Sequence, residues 1–230
     1  MNLISSLQYT PLETISVSPN NDTFSAEDNI LFNKEKTTLF LYPRGKAQET
    51  YITPQGVIEL YDSSFNNSKN LKYLTISDEV ISAKNAIRDC NNLSTVVIGN
   101  NVTTLGSEPF SGCYSLTSIT VNEQNQAYCS KDGVLFDKNI TSLLCYPPKK
   151  PETSFIIPVT ITSLTRDNLF TWAENLTEVT FEGTPNSIEN YIFSSSITTI
   201  NVPWAEGAVA NAPWGASNAT INYDYIGGES

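Results

Sequence analysis

A stretch that recurs along the chain constrains its fold more than anything else: Phe110-Ser-Gly-Cys113-Tyr-Ser-Leu116-Thr-Ser-Ile119-Thr-Val121. A bulky apolar residue is followed by a small turn, then Leu at plus six, Ile at plus nine and Val at plus eleven. The spacing returns at Phe65 (Leu71, Leu74, Ile76), at Ile87 (Leu93, Val96, Ile98) and at Phe170 (Leu176, Val179, Phe181). Phe193 begins a shortened version that reaches Ile197, Ile200 and Val202. Anchors 65, 87 and 110 are 22 and 23 residues apart, and 170 to 193 spans 23 again. A period in the twenties with an L-x-x-I-x-I core describes a leucine-rich-repeat solenoid. Each repeat packs mainly on its neighbours, so one core is expected to run lengthwise.

The alternation within the repeats predicts strands over 71–76, 94–98, 116–121, 177–181 and 198–202, with one face in and one face out. Stacked, they predict a parallel sheet along one side of a mainly β solenoid. Short helical or 3₁₀ turns are expected opposite, near 63–66, 84–89, 107–111 and 167–171. After Val202-Pro-Trp204, residues 205–211 are expected to form one or two helical turns, and 220–225 a strand. A terminal repeat must cover the open end of the core. Trp204 and Trp214 are large enough to do this, against the alternative of an exposed aromatic binding site.

A longer repetition overlies the first. Leu12, Ile15 and Val17 match Leu116, Ile119 and Val121 at an offset of 104, which holds through Phe32 and Phe136, Tyr42 and Tyr146, and Pro54 and Pro158. One inserted residue shifts it to 105, pairing Phe65 with Phe170. The expected organisation is a single solenoid domain over 1–230, with super-repeats 12–115 and 116–203 and a cap over 204–226. Each copy carries an inserted β-hairpin: strand-like 29–32 and 133–136, turns at 33–36 and 137–140, and return segments 37–42 and 141–146. Each return meets proline (Pro43; Pro147-Pro148), which has no N–H for a ladder. Another short strand then ends at Pro54 or Pro158. The inserts explain the 60-residue interval between anchors 110 and 170.

Net charge is −11, which opposes binding to nucleic acid or to anionic lipid, since both need clustered Lys and Arg. No apolar run approaches the ~20 residues of a spanning helix, so no membrane insertion is expected. The first residues lack both a basic region and a sustained apolar run. Either the protein stays inside the cell or a targeting segment was removed. Cys90 and Cys113 each follow their anchors by three residues and read as small buried side chains. Cys129 and Cys145 do not face each other in a hairpin centred on 137–140, and are expected to be free thiols. No C-x-x-C spacing is present.

The F-x-x-C-x-x-L-x-x-I-x-V run from Phe110 to Val121, the Asp132-Gly-Val-Leu-Phe-Asp-Lys138 insert and the Tyr-Pro endings resemble the BspA-like leucine-rich repeat family. The resemblance runs from Leu12 to Tyr225 and departs from the pattern at Ile87, where Phe is usual. It implies a secreted or cell-surface protein, of the kind found in mucosal bacteria and some protists and associated with adherence. It carries no catalytic residues over to this chain.

With no His in the chain, Ser-His-Asp and Cys-His catalysis and the usual zinc sites are excluded. No metal site, cofactor or catalytic residue is assigned. The outward strand positions are Tyr73 and Thr75, Thr95 and Val97, Ser118 and Thr120, Glu178 and Thr180, and Thr199 and Asn201. This nearly uncharged ladder offers hydroxyl groups and an aromatic platform to an extended host or matrix protein or glycan. Thr is also simply favoured on exposed strands. The expected function is a non-enzymatic adhesin-like module. A structural spacer or assembly domain is the alternative, and a carboxylate-dependent glycan hydrolase a third, which would need an Asp/Glu pair about 5–10 Å apart.

Overall fold

The computed structural model describes residues 3–8, 10–166 and 169–226. Asp167, within the turn expected over 167–171, and residues 227–230 lie outside them. A short helix α1 (Leu3–Leu7) precedes strands β1 (Phe24–Glu27), β2 (Ile30–Asn33) and β3 (Thr38–Leu41). Next come β4 (Thr50–Ile52), β5 (Glu59–Leu60), β6 (Tyr73–Ile76), β7 (Thr95–Ile98) and β8 (Ser118–Val121). A second meander, β9 (Tyr128–Lys131), β10 (Val134–Asp137) and β11 (Leu143–Cys145), leads to β12 (Ser154–Ile157) and β13 (Ser163–Leu164). The chain then forms β14 (Glu178–Phe181), β15 (Ser187–Ile188), β16 (Thr199–Asn201) and β17 (Thr220–Asn222). The result is a β-solenoid with almost no helix.

Each insert has one more strand than the turn chemistry at 33–36 and 137–140 predicts. β1 and β9 pair antiparallel with β2 and β10, ahead of the expected return strands. The extra turns rest on Asp28-Asn29 and Asp132-Gly133, all four at positive φ, a conformation that Asn, Asp and Gly adopt most readily. β2–β3 and β10–β11 slip register at matching places, Leu31/Phe32 and Leu135/Phe136.

The periodicity predicts one parallel sheet; the structure divides it into two of four strands, β4-β6-β7-β8 and β12-β14-β16-β17. The second meander causes the break. Ile119 N–H donates to the Gly133 carbonyl at 2.9 Å and Val121 N–H to Ser130 Oγ at 2.9 Å. The far edge of β8 is therefore closed before another repeat strand reaches it. The short strands ending before Pro54 and Pro158 become the first rungs of the two sheets, β4 and β12.

The core is divided as well. Alternation along β10 sends Leu135 into one apolar cluster with Ile119 and Val121, and Val134 and Phe136 into the other with Phe170 and Val179. A strand buried on both faces partitions what the repeat alone predicts to be continuous.

Opposite the sheets, the expected helical segments are turns. Ser63 and Asn67, then Asn85 and Asp89, then Gly106 and Gly112 have positive φ in successive repeats. In these three repeats left-handed residues recur within each turn, Phe110 being a third in the last, and they prevent a run of right-handed helical angles. Residues 205–211 are likewise turns, with Gly207 at φ 83° and Asn211 at φ 69°. Trp204 and Trp214 lie in the second cluster rather than on the surface.

Cys90 and Cys113 are buried and free. Cys90 Sγ donates to the Phe65 carbonyl at 3.0 Å, the same acceptor that Ser68 Oγ reaches at 2.7 Å from the equivalent position one repeat earlier. Cys129 and Cys145 are free, on opposite sides of β10, where they pair with Phe136 and Leu135.

Successive turns stack backbone on backbone at Gly99. A Cβ there would lie 2.5 Å from the Ser77 carbonyl oxygen and 2.8 Å from Asp78 Cα. Gly99→Ala is expected to cost about 1–3 kcal/mol by overpacking, read from urea unfolding. A change below ~0.5 kcal/mol, the usual range for a surface substitution, would show that adjacent turns slide without penalty.

Candidate binding surfaces

Pairing register places the outward residues of the first sheet in two rows. One runs Thr50–Tyr73–Thr95–Ser118 and the other Ile52–Thr75–Val97–Thr120, with rungs about 4.8 Å apart. Tyr73 is 50% exposed and Thr120 is exposed, while Thr75, Thr95, Val97 and Ser118 are half-buried. The side-chain hydroxyls of Tyr73, Thr75, Thr95, Ser118 and Thr120 make no hydrogen bond to another described residue. At the head of the rows a hollow of about 530 Å³ opens between the first meander and β4, lined by Phe32, Gln48, Tyr51 and Ile52 among others.

Glu178 and Thr180 do not join this surface. They lie on the second sheet, in rows Ser154–Glu178–Thr199–Thr220 and Ile156–Thr180–Asn201–Asn222. Here the polar groups satisfy one another. Asn201 Nδ2 donates to Glu178 Oε1 at 2.7 Å and Thr180 Oγ1 at 3.0 Å, and Asn222 Nδ2 donates to Asn201 Oδ1 at 2.7 Å. Asn201, expected to face outward into solvent, is 2% exposed and forms the centre of this ladder. The second sheet thus has fewer free hydrogen-bonding groups to offer a partner.

The structure also shows a cleft of about 320 Å³ between residues 107–114 and Arg166, Leu169, Trp172 and Ala173, which the strand pattern does not reveal. Anchors 87 and 110 belong to adjacent repeats, whereas 110 and 170 are separated by the second meander, whose Leu144, Cys145 and Tyr146 contribute to the lining. On the rim, Tyr114 and Trp172 are 43% and 50% exposed, with ring centroids 4.9 Å apart and planes at 58°. Arg166, also lining the cleft, has no ion-pair partner among the described residues. A sequence signal existed: Trp172 stands two residues past anchor Phe170, where the repeat requires no core side chain.

Desolvation pushes the Cys145 thiol up to about 12, with Arg166 pulling weakly the other way. Cys129 is likewise raised by burial. Both are therefore neutral, weakly nucleophilic thiols near pH 7. Glu108 is the one carboxylate among the described lining residues of the cleft. Among the described residues no group of three His, Cys, Asp or Glu could hold a metal ion, and no helix is long and apolar enough to cross a membrane.

The model of the BspA-type leucine-rich repeat region matches residues 45–143 and 145–209 in six copies. The chain belongs to this family. No curated protein matches it. Among solved structures it is similar to the pneumococcal vaccine antigen PcpA, at 18% identity and TM-score 0.46, over 94% of this chain and 51% of that one. It is also similar to a leucine-rich cell surface protein from Faecalibacterium prausnitzii, at 19% identity and TM-score 0.49, over 77% of this chain and 60% of that one. A leucine-rich repeat protein from Eubacterium ventriosum matches at 18% identity and TM-score 0.48, over 88% and 77% of the two chains. The BspA-type chain thus spans between half and two thirds of the length of the first two.

Proposed function

We propose that this BspA-type solenoid is a non-enzymatic interaction module, secreted or held at a bacterial cell surface, that binds a host or matrix protein or a glycan. The contact surface is the open face of the first sheet. The observation that carries the reading is the contrast between the two sheets: hydroxyls beside Tyr73 are unengaged, whereas Glu178, Thr180, Asn201 and Asn222 bond to one another. Two rows at strand spacing suit an extended polymer that repeats its contacts. The test is binding of the purified chain to an array of mucosal glycans and matrix proteins, beside a Tyr73→Ala/Thr95→Ala/Thr120→Ala variant. Binding is expected to weaken at least tenfold, about 1.4 kcal/mol, with thermal unfolding little changed. Retained binding would place the contact elsewhere, and absence of any binding would count against the module.

One observation favours a second reading, a structural spacer or assembly domain. Leu12, Ile15 and Val17 are half-buried, while their counterparts Leu116, Ile119 and Val121 are buried. Sedimentation showing concentration-dependent self-association through this face would support it, and a strict monomer would oppose it.

A further inference from the structure

We propose that the cleft beneath Tyr114 and Trp172 is a separate binding site for an acidic sugar, a residue carrying a ring carboxylate such as a uronic or sialic acid. Three observations converge. First, two half-exposed aromatic rings sit side by side on its rim. With their planes at 58° the two rings form an angled apolar corner rather than one plane, and an exposed ring face in it can pack against the C–H face of a sugar; aromatic residues contribute heavily to binding. Second, Arg166 brings a cation with no ion-pair partner among the described residues to the same cleft, in a chain of net charge −11. A guanidinium is the donor fork best matched to a carboxylate. Third, Ser107, Ser111 and Glu108 line the same cleft and supply acceptors, Glu108 also lying 3.9 Å from the Arg88 guanidinium. They suit a ligand rich in hydroxyl donors better than a peptide, whose main chain would need a strand edge.

The two super-repeats differ at this place. In the first, Gln8 stands where Gly112 stands in the second. Its Nε2 donates to the Asp62 carbonyl at 2.7 Å, and the side chain is 6% exposed. Asp62 is itself the counterpart of Arg166 at the offset of 104. The first copy thus spans the gap with its own side chain, whereas the second has a glycine and an arginine and leaves the gap open. Phe110, which lines the cleft, is held at φ 64°. The other repeat anchors, Phe65, Ile87, Phe170 and Phe193, are not among the positive-φ residues. Left-handed backbone at a bulky residue is costly and persists where the surroundings enforce it, commonly beside ligand sites.

Tryptophan emission provides the readout, because Trp172 is exposed while Trp204 and Trp214 are buried. The full chain is titrated with 3′-sialyllactose, with a hyaluronan tetrasaccharide and with lactose as the neutral control. The two acidic probes separate a sialic from a uronic source. The expected result is a saturable change with at least one acidic probe, weakened about tenfold in Arg166→Gln, the scale of one charge-assisted hydrogen bond. Binding to Trp172→Ala, which lacks the reporter, is followed by titration calorimetry and is expected to be lost. Tyr73→Ala/Thr95→Ala/Thr120→Ala leaves it unchanged, which separates this site from the sheet face. Thermal unfolding of each variant controls for folding. No saturable change with either acidic probe, equal binding of lactose, or wild-type affinity in Arg166→Gln overturns the proposal. Tighter binding of an aromatic peptide ending in a free carboxylate would overturn the sugar assignment.

Discussion

Phe170→Ala is expected to lower the unfolding free energy by about 3–5 kcal/mol, the range for deleting a buried aromatic side chain. Phe170 is fully buried, and its ring meets three others: Tyr146 at 5.0 Å, Phe155 at 5.8 Å and Phe193 at 5.3 Å. Tyr146 follows β11 and Phe155 lies in β12, so Phe170 ties the inserted meander to the repeat that follows it. The same triad occurs in the first super-repeat, where Phe65 meets Tyr42 at 5.1 Å and Tyr51 at 5.7 Å. Alanine would remove the contacts of all three partners and leave a cavity that stacked backbone turns cannot easily collapse. Urea unfolding of wild type, Phe170→Ala and Phe170→Leu measures this, and leucine should cost clearly less. A loss under ~1 kcal/mol for alanine would mean that the triad is not what holds the insert in place.

Trp214→Ala should cost a similar amount, about 3–5 kcal/mol, but at one end of the molecule. Trp214 is fully buried, and its Nε1–H donates to the Ala210 carbonyl at 2.6 Å. Its ring lies 6.4 Å from Phe181 and 6.3 Å from Trp204, and its carbonyl accepts from the Phe193 N–H at 3.1 Å. These contacts close the second cluster beyond its last full repeat. In a stacked array stability is approximately a sum of repeat and neighbour terms, so losing an end contact unfolds the array from that end. Hydrogen exchange should therefore lose protection first in β16 and β17, while β6 to β8 keep theirs. Equal loss across both sheets would show that the solenoid unfolds as one unit.

Much of this architecture is legible without coordinates. Leu71, Leu74 and Ile76 carry the strand and its buried face in their spacing, because side-chain direction alternates along an extended chain. Cys90 and Cys113 are recognisable as interior residues from their distance to the anchors. The outward row through Tyr73 and Thr95 follows from the same alternation. The readings that changed are those that depend on which backbone meets which. Asn201 looks outward in the pattern, but the neighbouring Glu178 and Asn222 bury it. Residues 84–89 have the length of a helical turn, yet Asn85 and Asp89 take positive φ. Trp172 is visible in the sequence, but its approach to Tyr114, from a turn far along the chain, is not.

By itself the sequence determined the repeat, its duplication at 104 and 105 residues, the places of the inserts and the inward face of the repeat strands β6, β7, β8, β14 and β16. All of these are local or periodic properties of one chain segment. Only the tertiary structure decided that the sheet stops at β8, that β10 divides the core in two, that the outward hydroxyls of one sheet meet no partner among the described residues and that a cleft opens beneath Tyr114 and Trp172. These depend on hydrogen bonds and packing between segments distant in the chain, such as Ile119 N–H to the Gly133 carbonyl. A periodic pattern specifies which face a strand buries; it does not specify the neighbour that closes its edge.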